Sequence, residues 1–91
     1  MTRDQVEELA ESLGVEFVNL DGLESAIIGF AYHDNEYRLI YSAEKIIKKF
    51  MRDGMKGGEA VEWAETNVFQ SYFGKTSPVF VQEITDKKGR N

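Results

Sequence analysis

The chain has 91 residues, enough for one domain whose modest core would bury roughly 60–65% of its unfolded surface, and its 42% hydrophobic and 30% charged residues are ordinary for a soluble globular protein. It contains no cysteine, which excludes a disulfide framework and thiolate metal sites and points to a reducing compartment such as the cytoplasm, and no run approaches the ~20 apolar residues of a membrane span. The net charge of −5 is split into ten acids against two bases in residues 1–44 and nine bases against six acids in residues 45–91; an acidic chain is a poor generic nucleic-acid binder, because phosphate affinity comes from counterion release by clustered Lys and Arg.

Met1-Thr2-Arg3-Asp4 opens a polar helix rather than a signal peptide. Thr2 and Gln5 have the spacing of a capping box, Val6, Leu9, Ala10 and Leu13 recur at helical intervals, and Gly14 suits the C-cap, which predicts a helix over 3–13. Its outer face is Asp4, Glu7, Glu8 and Glu11. Val15–Leu20 alternates and is rich in β formers, so it reads as a strand, and Asp21-Gly22 as a turn. Leu23-Glu24-Ser25 leads on as a short helical turn or as the start of the next strand.

Ala26–Ser42 is the centre of the fold: two apolar and aromatic runs flank the polar turn His33-Asp34-Asn35-Glu36. If Tyr32 faces Tyr37, then Phe30 faces Leu39 and Ile28 faces Tyr41, all on one side of a hairpin. Ile27, Gly29, Ala31, Arg38, Ile40 and Ser42 take the other side. A slip of one residue would put Arg38 among the aromatics, so the register is well specified. A two-residue primed turn and a four-residue loop around a type I turn both fit. Gly29 leaves a gap that a bulge or a close backbone could explain, and helix packing is the favoured explanation.

Ser42 caps a second helix with Ala43, Ile46, Ile47, Phe50 and Met51 as its core stripe, Lys45, Lys48, Lys49 and Arg52 opposite, and Gly54 at its end. The basic side reads first as a solvated face that complements the helix C-terminus and second as a contact patch. A third helix follows from Glu59 to Phe73, with Val61, Ala64, Val68 and Tyr72 inward, Ala60 and Phe69 at the edges, and Gly74 closing it. Thr76-Ser77-Pro78 is a loop, Val79–Ile84 a last strand, and residues 85–91 a mobile polar tail.

Chemistry is hard to find. His33 stands alone at a polar turn, no serine lies in a nucleophile-elbow context, and Gly54-Met55-Lys56-Gly57-Gly58 lacks phosphate-loop spacing. Glu59, Glu62 and Glu65 recur along one helix without converging on a substrate, and they complement its N-terminus. No enzyme, cofactor or metal site is expected. Trp63 is the residue that invites a contact, with Asn67 one turn on and exposed carboxylates beside it, because aromatics concentrate at interface centres; the competing role is to cover the side of a small core. The candidate partner-binding set is Trp63, Glu59, Glu62, Glu65 and Asn67.

Leu20-Asp21-Gly22-Leu23, Ala26-Ile27-Ile28-Gly29, Tyr41, Asp53-Gly54-Met55, Glu59-Ala60-Val61-Glu62, Asn67, Gly74 and Ser77-Pro78-Val79-Phe80 form an ordered string over residues 20–81. In this the chain resembles a widespread set of small phage-encoded proteins of uncharacterised role, although the serine that stands near Lys56-Gly57 in that set is missing. The resemblance implies a phage protein acting in the host cytoplasm, and it carries no activity with it.

The expected architecture is α+β: a small, mainly antiparallel sheet of three to four strands with three helices packed on it, in a single domain over 1–84. The expected function is a non-enzymatic accessory protein that binds and modulates a host protein, alone or as a homodimer, with no direct nucleic-acid or membrane binding. Two alternatives stand beside it. One is an acidic DNA mimic built on the N-terminal half, and the other is a small-molecule binder using a pocket near Gly29 or the glycine linker.

Overall fold

A computed structural model describes residues 1–71, 74 and 76–84. Helix α1 runs Arg3–Leu13, strand β1 Ile27–His33, strand β2 Glu36–Ser42, helix α2 Ala43–Arg52, helix α3 Gly57–Ala64, and strand β3 Val79–Val81. A 3₁₀ turn at Glu24–Ala26 leads into β1, and α3 continues through a π-helical segment, Glu65–Phe69. The fold is α+β, three helices on a mixed three-stranded sheet in the order β1-β2-β3.

Helix α1 begins and ends where its caps dictate. The Thr2 hydroxyl accepts the Gln5 N–H at 3.2 Å while the Gln5 side chain accepts the Thr2 N–H at 2.8 Å. Gly14 then adopts φ 68°, the left-handed conformation that frees its N–H to close the last turn.

The hairpin turns on Asp34 and Asn35, whose φ values of 53° and 64° make a two-residue primed turn, the form whose twist matches the strands. Pairing runs Tyr32↔Tyr37 and Phe30↔Leu39, as expected. Beyond Gly29 the register shifts, and Ile27, not Ile28, faces Tyr41. The extra residue of this bulge turns Ile28 outward to 40% exposure and buries Ile27. Gly29 marks the bulge, and a Cβ there would meet nothing within 4 Å, so the expected helix packing against it is absent.

Val15–Leu20 is not a strand. It runs over the hairpin instead of joining its edge, with Phe17 against Phe30 at 6.3 Å between ring centroids. A side chain anchors its far end: the buried Tyr41 hydroxyl accepts the Leu20 N–H at 2.8 Å and donates to Asn19 Oδ1 at 3.1 Å. Asn19 in turn donates to Glu24 Oε2 at 3.1 Å, and the Gly22 N–H donates to Glu24 Oε1 at 3.0 Å. Burial pushes the Tyr41 hydroxyl above its ordinary pKa, and the Glu24 and Asp21 charges push the same way. For Glu24, burial also works upward, but hydrogen bonds from its own backbone N–H, Asn19 and Gly22, with the Arg3 charge, outweigh it and hold the carboxyl below its ordinary value.

The core gathers Val6, Leu23, Ala26, Ile27, Leu39, Tyr41, Ile46, Ala64 and Val68, with Phe17, Leu20, Ile47, Phe50, Phe69 and Phe80 packed around it. Met51 and Val61 of the expected helix stripes are exposed, at 46% and 39%, and in α1 only Val6 enters the core, with Leu9, Ala10 and Leu13 half-buried outside it. The inward row of α3 and its π-helical extension is Ala60, Ala64 and Val68: Ala64 and Val68 stand as expected, and Ala60 takes the place expected for Val61, so that two alanines face α2. The expected helix extends to Tyr72 and Phe73, which fall outside the described residues, as does the expected tail at 85–91.

Ser42 joins the layers. It ends β2, its hydroxyl accepts the Lys45 N–H at the start of α2, and it donates to Glu83 Oε1 at 2.7 Å. Strand β3 runs parallel to β2, pairing Ile40↔Val79, Tyr41↔Phe80 and Ser42↔Val81. The expected strand to Ile84 stops at Val81 because β2 itself stops at Ser42, which leaves the following residues no strand to pair with.

Candidate functional site

Four of the five residues singled out in the sequence share one groove. Glu59, Glu62, Trp63 and Asn67, joined by Met55 and Thr66, line an open depression of about 340 Å³. The spacing explains the convergence: 59, 62/63 and 66/67 step by three or four residues and so stack on one helical face. Met55 closes the end from the connection between α2 and α3. Glu65 is exposed and lies outside the groove.

Trp63 is 49% exposed, so the indole both lines the groove and meets solvent. Covering the core was the competing role, and the inward row of alanines performs it. Asn67 donates from Nδ2 to the Trp63 carbonyl at 3.2 Å. This bond forms where α3 passes into the π-helical segment, a widening of the backbone ladder that frees carbonyls and is frequent at functional sites. One of its two amide hydrogens is so used, and the Asn67 oxygen remains as an acceptor beside the second N–H. Glu59 accepts the Lys56 N–H at 3.2 Å and thereby starts the helix that two glycines and a lysine could not cap with a side-chain oxygen. Glu62 forms no ion pair among the described residues.

The groove therefore offers hydrogen-bond acceptors and the face of an indole. That chemistry suits a cation carrying several N–H donors, which gains from carboxylates and from the aromatic quadrupole together. Thr66 and Met55 were missed by sequence reasoning. Thr66 was legible as the residue four positions after Glu62, whereas Met55 depends on the path of the interhelix connection.

The other candidate features lie elsewhere. His33 is exposed at the hairpin tip with Nδ1 3.4 Å from Asp34 Oδ2. Among the described residues no group of three or more His, Asp or Glu side chains stands at metal-binding spacing. On α2, Lys48 pairs with Glu44 at 2.9 Å and Lys49 with Asp53 at 2.8 Å, so the basic side is partly neutralised within its own helix. Glu7 and Asp21 both lie near Arg3, at 3.8 and 3.6 Å. Met1, Leu9, Ile27, Ile28, Gly29 and Phe30 line an apolar depression of about 320 Å³ beside β1. No described helix is long and apolar enough to cross a membrane. No family model, curated protein or solved structure matches the chain.

Proposed function

We propose that this chain is a non-enzymatic, phage-encoded accessory protein that binds a host protein in the host cytoplasm, and that it does so through the groove of α3. The observation that carries the reading is Trp63, half-exposed at the centre of the groove, with Glu59, Glu62 and the Asn67 oxygen around it. A large, rigid aromatic left in solvent is an anchor in search of a covering surface. The acceptors around it select a basic segment, arginine above all, whose planar guanidinium stacks on indole and forks onto carboxylates. The phage origin rests on the resemblance over residues 20–81.

Trp63 is the only tryptophan, so its emission reports on the groove alone. Titration with a short Arg-Gly peptide should shift and quench that emission, and Glu62→Gln with Glu59→Gln should weaken the response about tenfold or more, as loss of desolvated charge-assisted contacts does. Raised salt should weaken it further. In host extract, affinity capture with the wild type should return a protein that Trp63→Ala fails to hold at unchanged melting temperature. A captured protein equally retained by Trp63→Ala would overturn the proposal.

A further inference from the structure

We infer that β1 is a self-pairing edge, and that two copies of this chain join there in a two-fold, antiparallel seam centred on Ala31. In the order β1-β2-β3, β1 has a neighbour on one side only. It spans seven residues against three in β3. Edge strands of that length are ordinarily guarded by charges, proline or a bulge. Ile27–Tyr32 holds neither charge nor proline, and the bulge at Ile28 guards only its beginning.

The phase of the hairpin shows which groups the edge presents. A two-residue primed turn makes His33 and Glu36 the pair that exchanges both backbone hydrogen bonds, and such pairs recur at every second residue. Ala31 therefore bonds to β2 like His33, whereas Phe30 and Tyr32 turn their N–H and C=O outward. Among the described residues these outward groups have no backbone partner elsewhere in the chain.

A two-fold axis through Ala31 satisfies all of them. Phe30 then lies opposite Tyr32 of the second copy, and Tyr32 opposite its Phe30, each pair exchanging two backbone hydrogen bonds. On the axis, Ala31 meets Ala31 of the second copy at the closer, non-hydrogen-bonded spacing of about 4.5 Å between Cα atoms, where a methyl group fits well. Phe30 and Tyr32 share one face and are 42% and 60% exposed, so each copy covers the other's free aromatics. His33 falls opposite Gly29, and no charged side chain meets another across the seam. This match of a small centre with flanking aromatics belongs to the strand paired with itself, which is why the occupant is a second copy and not an arbitrary foreign strand.

The area sets the strength. With about 150–250 Å² for a whole aromatic side chain, the exposed parts of Phe30 and Tyr32 supply about 200 Å² per copy, well below half of a stable interface of about 1,200 Å² in total. The dimer is therefore weak and reversible, half-formed between about 10 µM and about 1 mM. Sedimentation equilibrium of the whole chain from about 10 µM to about 1 mM, a range that brackets such a constant, should show the mass rise from 10.4 kDa toward twice that value. Ala31→Glu should hold it at the monomer mass while keeping or raising the melting temperature, because in the monomer the carboxylate lies across from Arg38, whereas on the axis two carboxylates collide. Tyr32→Lys, which places a charge in the seam at a residue already exposed, should also leave a monomer and decides the matter if Ala31→Glu does not fold. A wild type that stays monomeric to 1 mM, or a dimer that survives the folded variants, overturns the inference.

Discussion

Tyr41→Phe removes one oxygen and leaves the ring. The ring of Tyr41 is fully buried against Phe80, 5.8 Å away between centroids, so packing is preserved. Two part-buried partners are stranded: the Leu20 N–H that the hydroxyl accepts and the Asn19 oxygen to which it donates. A net hydrogen bond contributes about 1 kcal/mol, and a stranded buried donor costs about 1–3 kcal/mol. Water reaches some of this part-buried site, so the expected loss is about 2 kcal/mol. In a domain of this size that lowers the melting temperature by about 10 °C, measured by circular dichroism at pH 7. The hydroxyl also carries a pH signature. Burial holds its folded pKa above the ordinary tyrosine value, so between the unfolded and folded values the native state holds the proton and stability falls as pH rises. The wild type should therefore lose its advantage over Tyr41→Phe progressively above about pH 10. A variant within about 0.5 kcal/mol of wild type at pH 7, or a stability gap unchanged through pH 11, would refute the role assigned to this hydroxyl.

Other consequences can be measured in the same way. Glu24 has a depressed carboxyl, so its contribution is present above the unfolded pKa and should fade as pH falls below the ordinary carboxylate range through the folded pKa; Glu24→Gln should flatten that acid limb in urea titrations. Asn35 sits at φ 64° in the primed turn, and Asn35→Gly should raise stability by about 0.5 kcal/mol in chevron or equilibrium measurements. Ala64 is fully buried where α3 meets the core, so Ala64→Leu should cost about 1–3 kcal/mol through overpacking in thermal melts. Ile46 is also fully buried, so Ile46→Ala should cost about 2–5 kcal/mol, read as a lowered melting temperature by circular dichroism.

What was legible in the chain was local. The Thr2/Gln5 box, the Ser42 cap and the Tyr32–Tyr37 end of the hairpin each depend on residues within a few positions of one another, and each stands where the spacing put it. The misread elements depend on distant partners. Val15–Leu20 has the alternation of a strand, but the Tyr41 hydroxyl takes the Leu20 N–H, and the segment lies over the sheet instead of in it. The same alternation hid the bulge, since Ile27 and Ile28 are chemically alike and only the packing on Tyr41 decides which faces inward. Helical spacing from Ala64 and Val68 admits either Val61 or Ala60 to the inward row, and the packed helix buries the smaller Ala60. In the candidate site the helical period alone brought Glu59, Glu62, Trp63 and Asn67 together. Met55 came from a connection whose course no period describes.

Because β3 reaches β2 only after both intervening helices, the sheet is finished by a stretch of chain well downstream of the hairpin. The hairpin can close early, from neighbours in sequence, but the flank of β2 along Ile40–Ser42 stays bare until Val79–Val81 emerges. Closing that long loop carries an entropy cost that the hairpin does not, and a chain truncated before Val79 displays a ribbon bare on both sides. Aggregation of such truncations, relieved by supplying the missing segment as a peptide, is the practical mark of this ordering.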